Sequence, residues 1–377
     1  LNLTPDFQFY RYNSYEGLFD FGLAKHDITA VTEQQTRTRN ILVENLLTFD
    51  RTFGDHKVSA LVGYTYQYRY MQGSGQGMPT GITEIDAASQ GLAVSGNSSR
   101  SVLTSILGRA VYSYKNRYLL TATIRRDGSS KFGSNYRYGN FPSVSVGWNI
   151  AEEDFVKNSV SWLDQLKLRG GYGVLGNQEI DNYQYVSVVT TGINYPDGKS
   201  GLIQGAFPKT FANPDIKWEE TAMTNVGIDF MALRNRLTLT ADWYVKNTKD
   251  ILLNVPIPIS TGGANDPFRN AGTIRNQGFE FNLGWNESLN KDLSYGVSFL
   301  GTYNKNEVVE MGAESQVITG GTIHGGTYTS RTLAGYPIGG FWLIPTDGYF
   351  NSTEEVQAHQ KDGVLIQPSA EPGDIRF

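Results

Sequence analysis

The 377-residue chain has no cysteine, which excludes a disulfide framework, a thiolate zinc site and a cysteine nucleophile. Avoidance of cysteine suits passage through an oxidising periplasm, although a cytosolic chain can lack it too. Histidine is scarce as well. His26, His56, His324 and His359 stand nowhere at metal-ligand spacing, so no sequence-local histidine metal site is expected, while metal through loop carboxylates stays open. Charged residues make up only 18% of the chain, and 32 Lys+Arg against 37 Asp+Glu give a net charge of −5. That balance excludes the broad basic surface that holds nucleic acid. No window approaches 18 apolar residues, so a transmembrane helix is excluded. A membrane β-barrel is not excluded, because its strands alternate lipid-facing with lumen-facing residues and keep mean hydropathy low. The chain opens on Leu1 with no charged stretch leading into an apolar one. It shows no secretory signal, and it is expected to be a mature chain or a fragment.

What the chain has in abundance is glycine and aromatics: 42 Gly, 22 Tyr, 19 Phe and 6 Trp. That mixture favours strands and turns. From Lys57 to Tyr70, Val58, Ala60, Val62, Tyr64, Tyr66, Tyr68 and Tyr70 fall on one face and Ser59, Leu61, Gly63, Thr65, Gln67 and Arg69 on the other. Period two over fourteen residues predicts a strand. The alternation recurs at Pro142–Ile150, Leu237–Lys246 and Gly278–Trp285. Ten strands are expected, at 37–50, 56–70, 100–114, 118–128, 138–150, 163–173, 216–231, 237–250, 273–285 and 293–304. Short links at 51–55, 115–117, 151–162, 232–236 and 286–292 alternate with long ones at 71–99, 129–137, 174–215, 251–272 and from 305 onward. Short turns on one side and long loops on the other describe an up-and-down transmembrane barrel. The soluble alternative is a β-sandwich or propeller, but sandwich strands run about 5–6 residues, whereas membrane strands need roughly 9–11. Aromatics also gather at both ends of the greasy lanes, as two interfacial girdles would require. A sheet in lipid must close, and nothing in the sequence marks a natural end. The expectation is one partial barrel domain over residues 1–377, an internal piece of a larger barrel.

Six segments carry a resemblance. They are Arg126-Asp-Gly-Ser-Ser-Lys-Phe-Gly133, Tyr172-Gly-Val-Leu-Gly-Asn-Gln178, Asn213-Pro-Asp-Ile-Lys-Trp-Glu-Glu-Thr221, Asn276-Gln-Gly-Phe-Glu-Phe281, Gly335-Tyr-Pro-Ile-Gly-Gly-Phe341 and Pro372-Gly-Asp-Ile-Arg-Phe377. In this order they resemble the SusC/RagA-like TonB-dependent transporters of the Gram-negative outer membrane. The resemblance implies an all-β antiparallel barrel of roughly 22 strands, with the N-terminal plug and the C-terminal strands absent from this chain. It implies import of a bulky nutrient, an oligosaccharide or a peptide, with a SusD-like surface lipoprotein as lid. Energy would come from the TonB-ExbB-ExbD complex through a segment before the plug. It implies neither a cofactor nor an enzyme. Two rivals come from other classes: a passive porin or adhesin barrel, and a secreted carbohydrate-active β domain.

Chemistry was sought at four places. Gly171-Tyr-Gly-Val-Leu-Gly176 matches a dinucleotide-binding spacing, but the residues that follow do not open an amphipathic helix, so small residues at a strand-to-loop transition explain it. The carboxylate pairs Glu152/Glu153, Glu219/Glu220 and Glu354/Glu355 are poor glycosidase acids, because adjacent residues on a strand point to opposite faces. The first is expected to begin a short turn helix and the last a surface helix. Residues 100–137 hold eight basic residues and one acid, whereas 305–377 hold four basic and nine acidic. Arg109, Arg125, Lys167 and Arg169 are expected to face the lumen; within 100–137 the inward Arg109 and Arg125 either pair with lumen or plug carboxylates, while the other basic residues there meet lipid headgroups or water, or the segment lines an anionic path. Among loop aromatics, Trp218, Phe341 and Trp342 are candidates for stacking on a ligand or gripping a partner, with loop anchoring as the alternative.

Overall fold

In the computed structural model, every residue is described except 23–24, 27–28, 80–92, 197, 199–200, 256, 258–259, 261–264, 313–316 and 323–327. Long alternating segments become long strands, which pair antiparallel in chain order. They are β1 (Asn2–Glu16), β2 (Ala30–Phe53), β3 (His56–Pro79), β4 (Ala93–Tyr114), β5 (Tyr118–Ser129) and β6 (Tyr138–Asn149). There follow β7 (Leu163–Asn177), β8 (Glu219–Ala232), β9 (Leu237–Lys249), β10 (Thr273–Ser288) and β11 (Ser294–Glu310). The eleven form one open sheet in the order β1 to β11, part of a barrel that does not close on itself. By contact the chain divides into two compact units, Leu1–Lys305 and Asn306–Phe377.

The eleventh strand corrects the expectation of ten. In β1 the greasy lane Leu3, Pro5, Phe7, Phe9 turns polar at Arg11 and Asn13, while tyrosines enter the other lane at Tyr10 and Tyr12. Hydropathy therefore loses its period although the backbone stays paired to β2 from Asn2↔Glu44 to Glu16↔Ala30. The same cause hides the outer halves of β2 and β3. Both lanes are polar or glycine around Thr32–Thr38 and Gly73–Gln76, yet pairing runs unbroken from Phe53↔His56 to Ala30↔Pro79. At the other boundary, β8 begins at Glu219 and not at 216, because Ile216 and Trp218 turn inward to a cluster described below.

Directly paired residues share a face, so the registers assign two faces to the whole sheet. One carries Val62, Ile106, Val146 and Val226, which are 60, 59, 56 and 53% exposed. A soluble protein buries such side chains; a membrane strand presents them to lipid. The other face carries Thr65, Ser105, Thr123, Ser145, Asn225, Asp242 and Glu280. No helix among the described residues is long and apolar enough to cross a membrane, which says nothing of strands. Glu152 and Glu153 lie in a 3-10 turn and its exit before the helix Asp154–Lys157, and Glu354 and Glu355 sit in the helix Thr353–Ala358 capped by Ser352, as expected.

Candidate functional site: the polar face and its two rims

All four basic candidates lie on the polar face. Arg169 is the most engaged, because Arg169, Gly227 and Asp242 form one row across β7, β8 and β9. Its guanidinium crosses the middle strand and donates from Nη1 and Nη2 to the two Asp242 oxygens at 2.9 and 2.8 Å, while Nε reaches Asp229 at 3.0 and 3.1 Å. Gly227 makes that crossing possible: a Cβ there would stand 2.4 Å from Asp242 Oδ1 and 2.9 Å from Arg169 Cζ. Asn225 Nδ2 adds a bond to Asp242 Oδ1 at 3.2 Å. The result is a clamp holding three strands, in which one cation meets two carboxylates.

Arg125 donates to Asp127 at 2.6 Å and to Ser105 at 3.0 Å, and both partners are buried. Arg109 Nε bonds Thr123 at 3.2 Å. Lys167 has no acidic partner among the described residues; it borders a shallow hollow of about 280 Å³ lined also by Thr121, Ser145, Gly147, Gly171 and Asn225. The small cross-strand pair Ser145↔Gly171 is part of its lining. Two of the four cations are thus neutralised within the wall.

On the long-loop side, residues of three of the six segments quoted above pack together. Phe132, Phe141, Ile180, Ile216, Trp218 and Leu252 form a buried cluster. Trp218 is only 5% exposed, and its Nε1 donates to Arg137 O at 3.2 Å, an arrangement that matches the loop-anchoring alternative of its two readings. Ser130 Oγ accepts from Val102 N at 2.8 Å, Glu219 accepts from Asn177 and from Leu252 N at 3.2 and 3.1 Å, and Asn270 accepts from Lys217 N at 2.9 Å. The Phe141 ring occupies the space a Cβ of Gly139 or Gly176 would fill, which explains the last glycine of the 171–176 run without a nucleotide. Phe341 and Trp342 belong to the second unit. Phe341 is 85% exposed, and the Trp342 ring lies 4.8 Å from Arg331 Cζ and edge-on to Tyr336.

On the short-turn side, His56, Tyr114, Tyr118 and Trp148 stack in sequence across β3 to β6 with centroid spacings of 4.8, 6.4 and 6.5 Å. All four lie on the apolar face, as an interfacial girdle does. Glu153 fastens its end, accepting from Tyr118 Oη at 2.6 Å, Trp148 Nε1 at 3.0 Å and Arg117 Nη1 at 3.2 Å. The Tyr118 and Trp148 hydrogen bonds, helped by the Arg117 charge, hold its carboxyl below the usual carboxylate range. Sequence reading missed this node; a carboxylate just past a run of girdle aromatics was its signal.

Among the described residues no group of three His, Asp or Glu could hold a metal; the His26 side chain and His324 lie outside those residues. What the geometry defines is a wall: an antiparallel meander, greasy outside, polar inside, with a girdle at the short turns and packed loops at the far rim. That is the wall of an outer-membrane-type β-barrel. The family model described as "TonB dependent receptor-like, beta-barrel" matches residues 1–361, and the chain belongs to that family. TonB-dependent receptor P39 of Formosa agariphila is 34% identical over 337 residues, covering 86% of this chain and 30% of that protein. TonB-dependent receptor SusC of Bacteroides thetaiotaomicron is 39% identical over 216 residues, 56% of this chain and 21% of its own length. The RagAB peptide importer in its closed-closed state superposes with a TM-score of 0.79 over 93% of this chain and 38% of that one, at 24% identity, a likeness of fold. The chain spans about a third or less of the length of the curated relatives it matches.

Proposed function

We propose that the chain is part of the wall of a TonB-dependent, SusC-like transporter that imports a bulky nutrient, an oligosaccharide or a peptide, across the outer membrane of a Gram-negative bacterium. The two-faced sheet carries this reading. One face suits lipid, and the other presents Arg109, Arg125, Lys167 and Arg169 to a lumen wide enough for a plug. The small residues of the hollow beside Lys167 leave room for packed plug side chains or for solute. A SusD-like lipoprotein would close the long-loop side, and the TonB-ExbB-ExbD complex would act from the opposite side. No bond of the solute is made or broken.

Uptake by intact cells tests this. A strain carrying the full-length gene should accumulate fluorescently labelled oligosaccharide or peptide, and deletion of tonB should abolish accumulation. Uptake that persists without TonB would sink the proposal in favour of a passive porin. Co-purification of a lipoprotein with the tagged full-length receptor, after gentle detergent extraction, tests the lid.

A further inference from the structure

The apolar face does not end alike at its two rims. Toward the short turns two cations are neutralised, Lys115 Nζ by Asp55 at 3.4 Å and Arg117 by Glu153 and Asp154, and Arg51 stands without an acidic partner among the described residues, its Cζ 5.4 Å from the centre of the Phe53 ring. Toward the long loops the lane on β2 passes from Val43 and Ile41 to Arg39 and Arg37, and the lane on β4 passes from Val102 to Arg100. The registers Arg39↔Tyr70 and Tyr70↔Arg100 place these three side by side on β2, β3 and β4. Arg39 and Arg100 therefore stand two strand spacings apart, about 9.5 Å, with Arg37 one lane step, about 7 Å, above Arg39.

All three arginines are exposed, and none has an acidic partner among the described residues. The nearest acid along their lane, Glu33, accepts from Arg11 at 3.0 Å. Arg37 Cζ lies 5.8 Å from the centre of the Phe9 ring, a cation–π contact that leaves its N–H edges free. Unpaired guanidinium forks at the edge of a lipid-facing surface match the oxygens of phosphate. Basic clusters at this depth attract anionic headgroups.

We propose that Arg37, Arg39 and Arg100, with Tyr70 between them, form a docking site on the outer surface of the wall for the phosphate groups of a lipid headgroup in the leaflet that the long loops face. The proposal rests on the apolar face meeting lipid. At the opposite rim Arg51 has no second unpaired arginine beside it in its row, where its partner on β3 is Val58.

The test uses the full-length receptor in detergent, titrated with bisphosphorylated lipid A and followed by native mass spectrometry. Arms with dephosphorylated lipid A and with inorganic phosphate as competitor separate headgroup from acyl chains and from free anion. The double variant Arg39→Gln/Arg100→Gln should weaken binding of the phosphorylated lipid about tenfold or more and erase its advantage over the dephosphorylated form. Arg51→Gln, on the same face near the short turns, should bind as wild type does. Wild-type affinity in the double variant, equal binding of both lipids, or displacement by equimolar inorganic phosphate would each overturn the proposal. Heat-modifiable migration of wild type and variants reports the barrel independently. Its absence in the wild type would remove the membrane reading, and the proposal with it; its presence with unchanged lipid binding would remove the proposal alone.

Discussion

Replacing Arg169 by Gln should destabilise the full-length barrel by about 2–4 kcal/mol, a figure built from two contributions. The first is the loss of the fork to Asp242 and the bond to Asp229. Removing one partner of a fully buried ion pair costs roughly 3–5 kcal/mol. Here the three side chains keep 29, 24 and 20% exposure, so the loss lies below that ceiling. The second is the repulsion between Asp229 and Asp242 once the cation between them is gone. At a separation on the order of 6 Å it amounts to about 0.7 kcal/mol in water and about 3 kcal/mol at an effective dielectric of 20. Asp242→Asn relieves that repulsion, so Arg169→Gln/Asp242→Asn should be less damaging than the sum of the single variants by about 1 kcal/mol or more. Arg169→Lys keeps the charge but not the fork and should recover less than half of the loss. Urea titration of the protein refolded into phosphatidylcholine vesicles, read by tryptophan fluorescence, gives all four values. The reasoning is refuted if Arg169→Gln lies within about 0.5 kcal/mol of wild type or if the double variant equals the sum of the singles.

Four further outcomes are expected. Val62→Arg, on the apolar face, should cost roughly 2–4 kcal/mol near the midplane, while Thr65→Arg, opposite Ser105 and Glu44 on the polar face, should cost much less; the reverse ranking in urea would mean that the faces are inverted. Trp218→Ala should cost about 3–5 kcal/mol and speed proteolysis within residues 178–216, and unchanged protection would contradict its anchoring role. Because the Glu153 carboxyl is held below its ordinary value of 4.5, it contributes stability above that pH and loses it as the pH falls through the lower folded value. Glu153→Gln should therefore flatten the dependence of stability on pH below about 4.5, and an unchanged slope would count against the node. In intact cells Ser95→Cys should react with an impermeant maleimide and Asn235→Cys should not; equal labelling would reverse the sidedness.

Where hydropathy alternated, the strand and its face were legible: Val62 and Tyr64 against Gly63 and Thr65 follow from period two alone. Legibility stopped where both lanes turned polar, so the outer reach of β2 and β3 and all of β1 stayed hidden, although backbone pairing there needs no grease. The polar face was readable residue by residue, but not its partnerships. Arg169 and Asp242 are 73 positions apart and meet because the β7–β8 and β8–β9 registers place both beside Gly227. The sequence could not choose between the two readings of Trp218, because its burial depends on Phe132 and Leu252 from two other loops, on Ile180 from the far end of its own loop and on Phe141 of β6. A glycine such as Gly227 gives no sequence signal of the guanidinium that lies across it.

The unequal strand lengths have a mechanical side. β2 and β3 run 24 residues each, whereas β5 and β6 run 12. At about 3.3 Å per residue, the first pair is about 80 Å long and the second about 40 Å. A band of about 25 Å crossed at a tilt of 35–45° takes up only some 30–35 Å of strand. The β2–β3 ribbon therefore stands tens of ångströms clear of the membrane, while β5 and β6 barely leave it. A parapet of this kind is a cantilever rooted in lipid: a push at its crest acts through a long arm and arrives at the base as torque, whereas the same push on the low flank is absorbed where it lands.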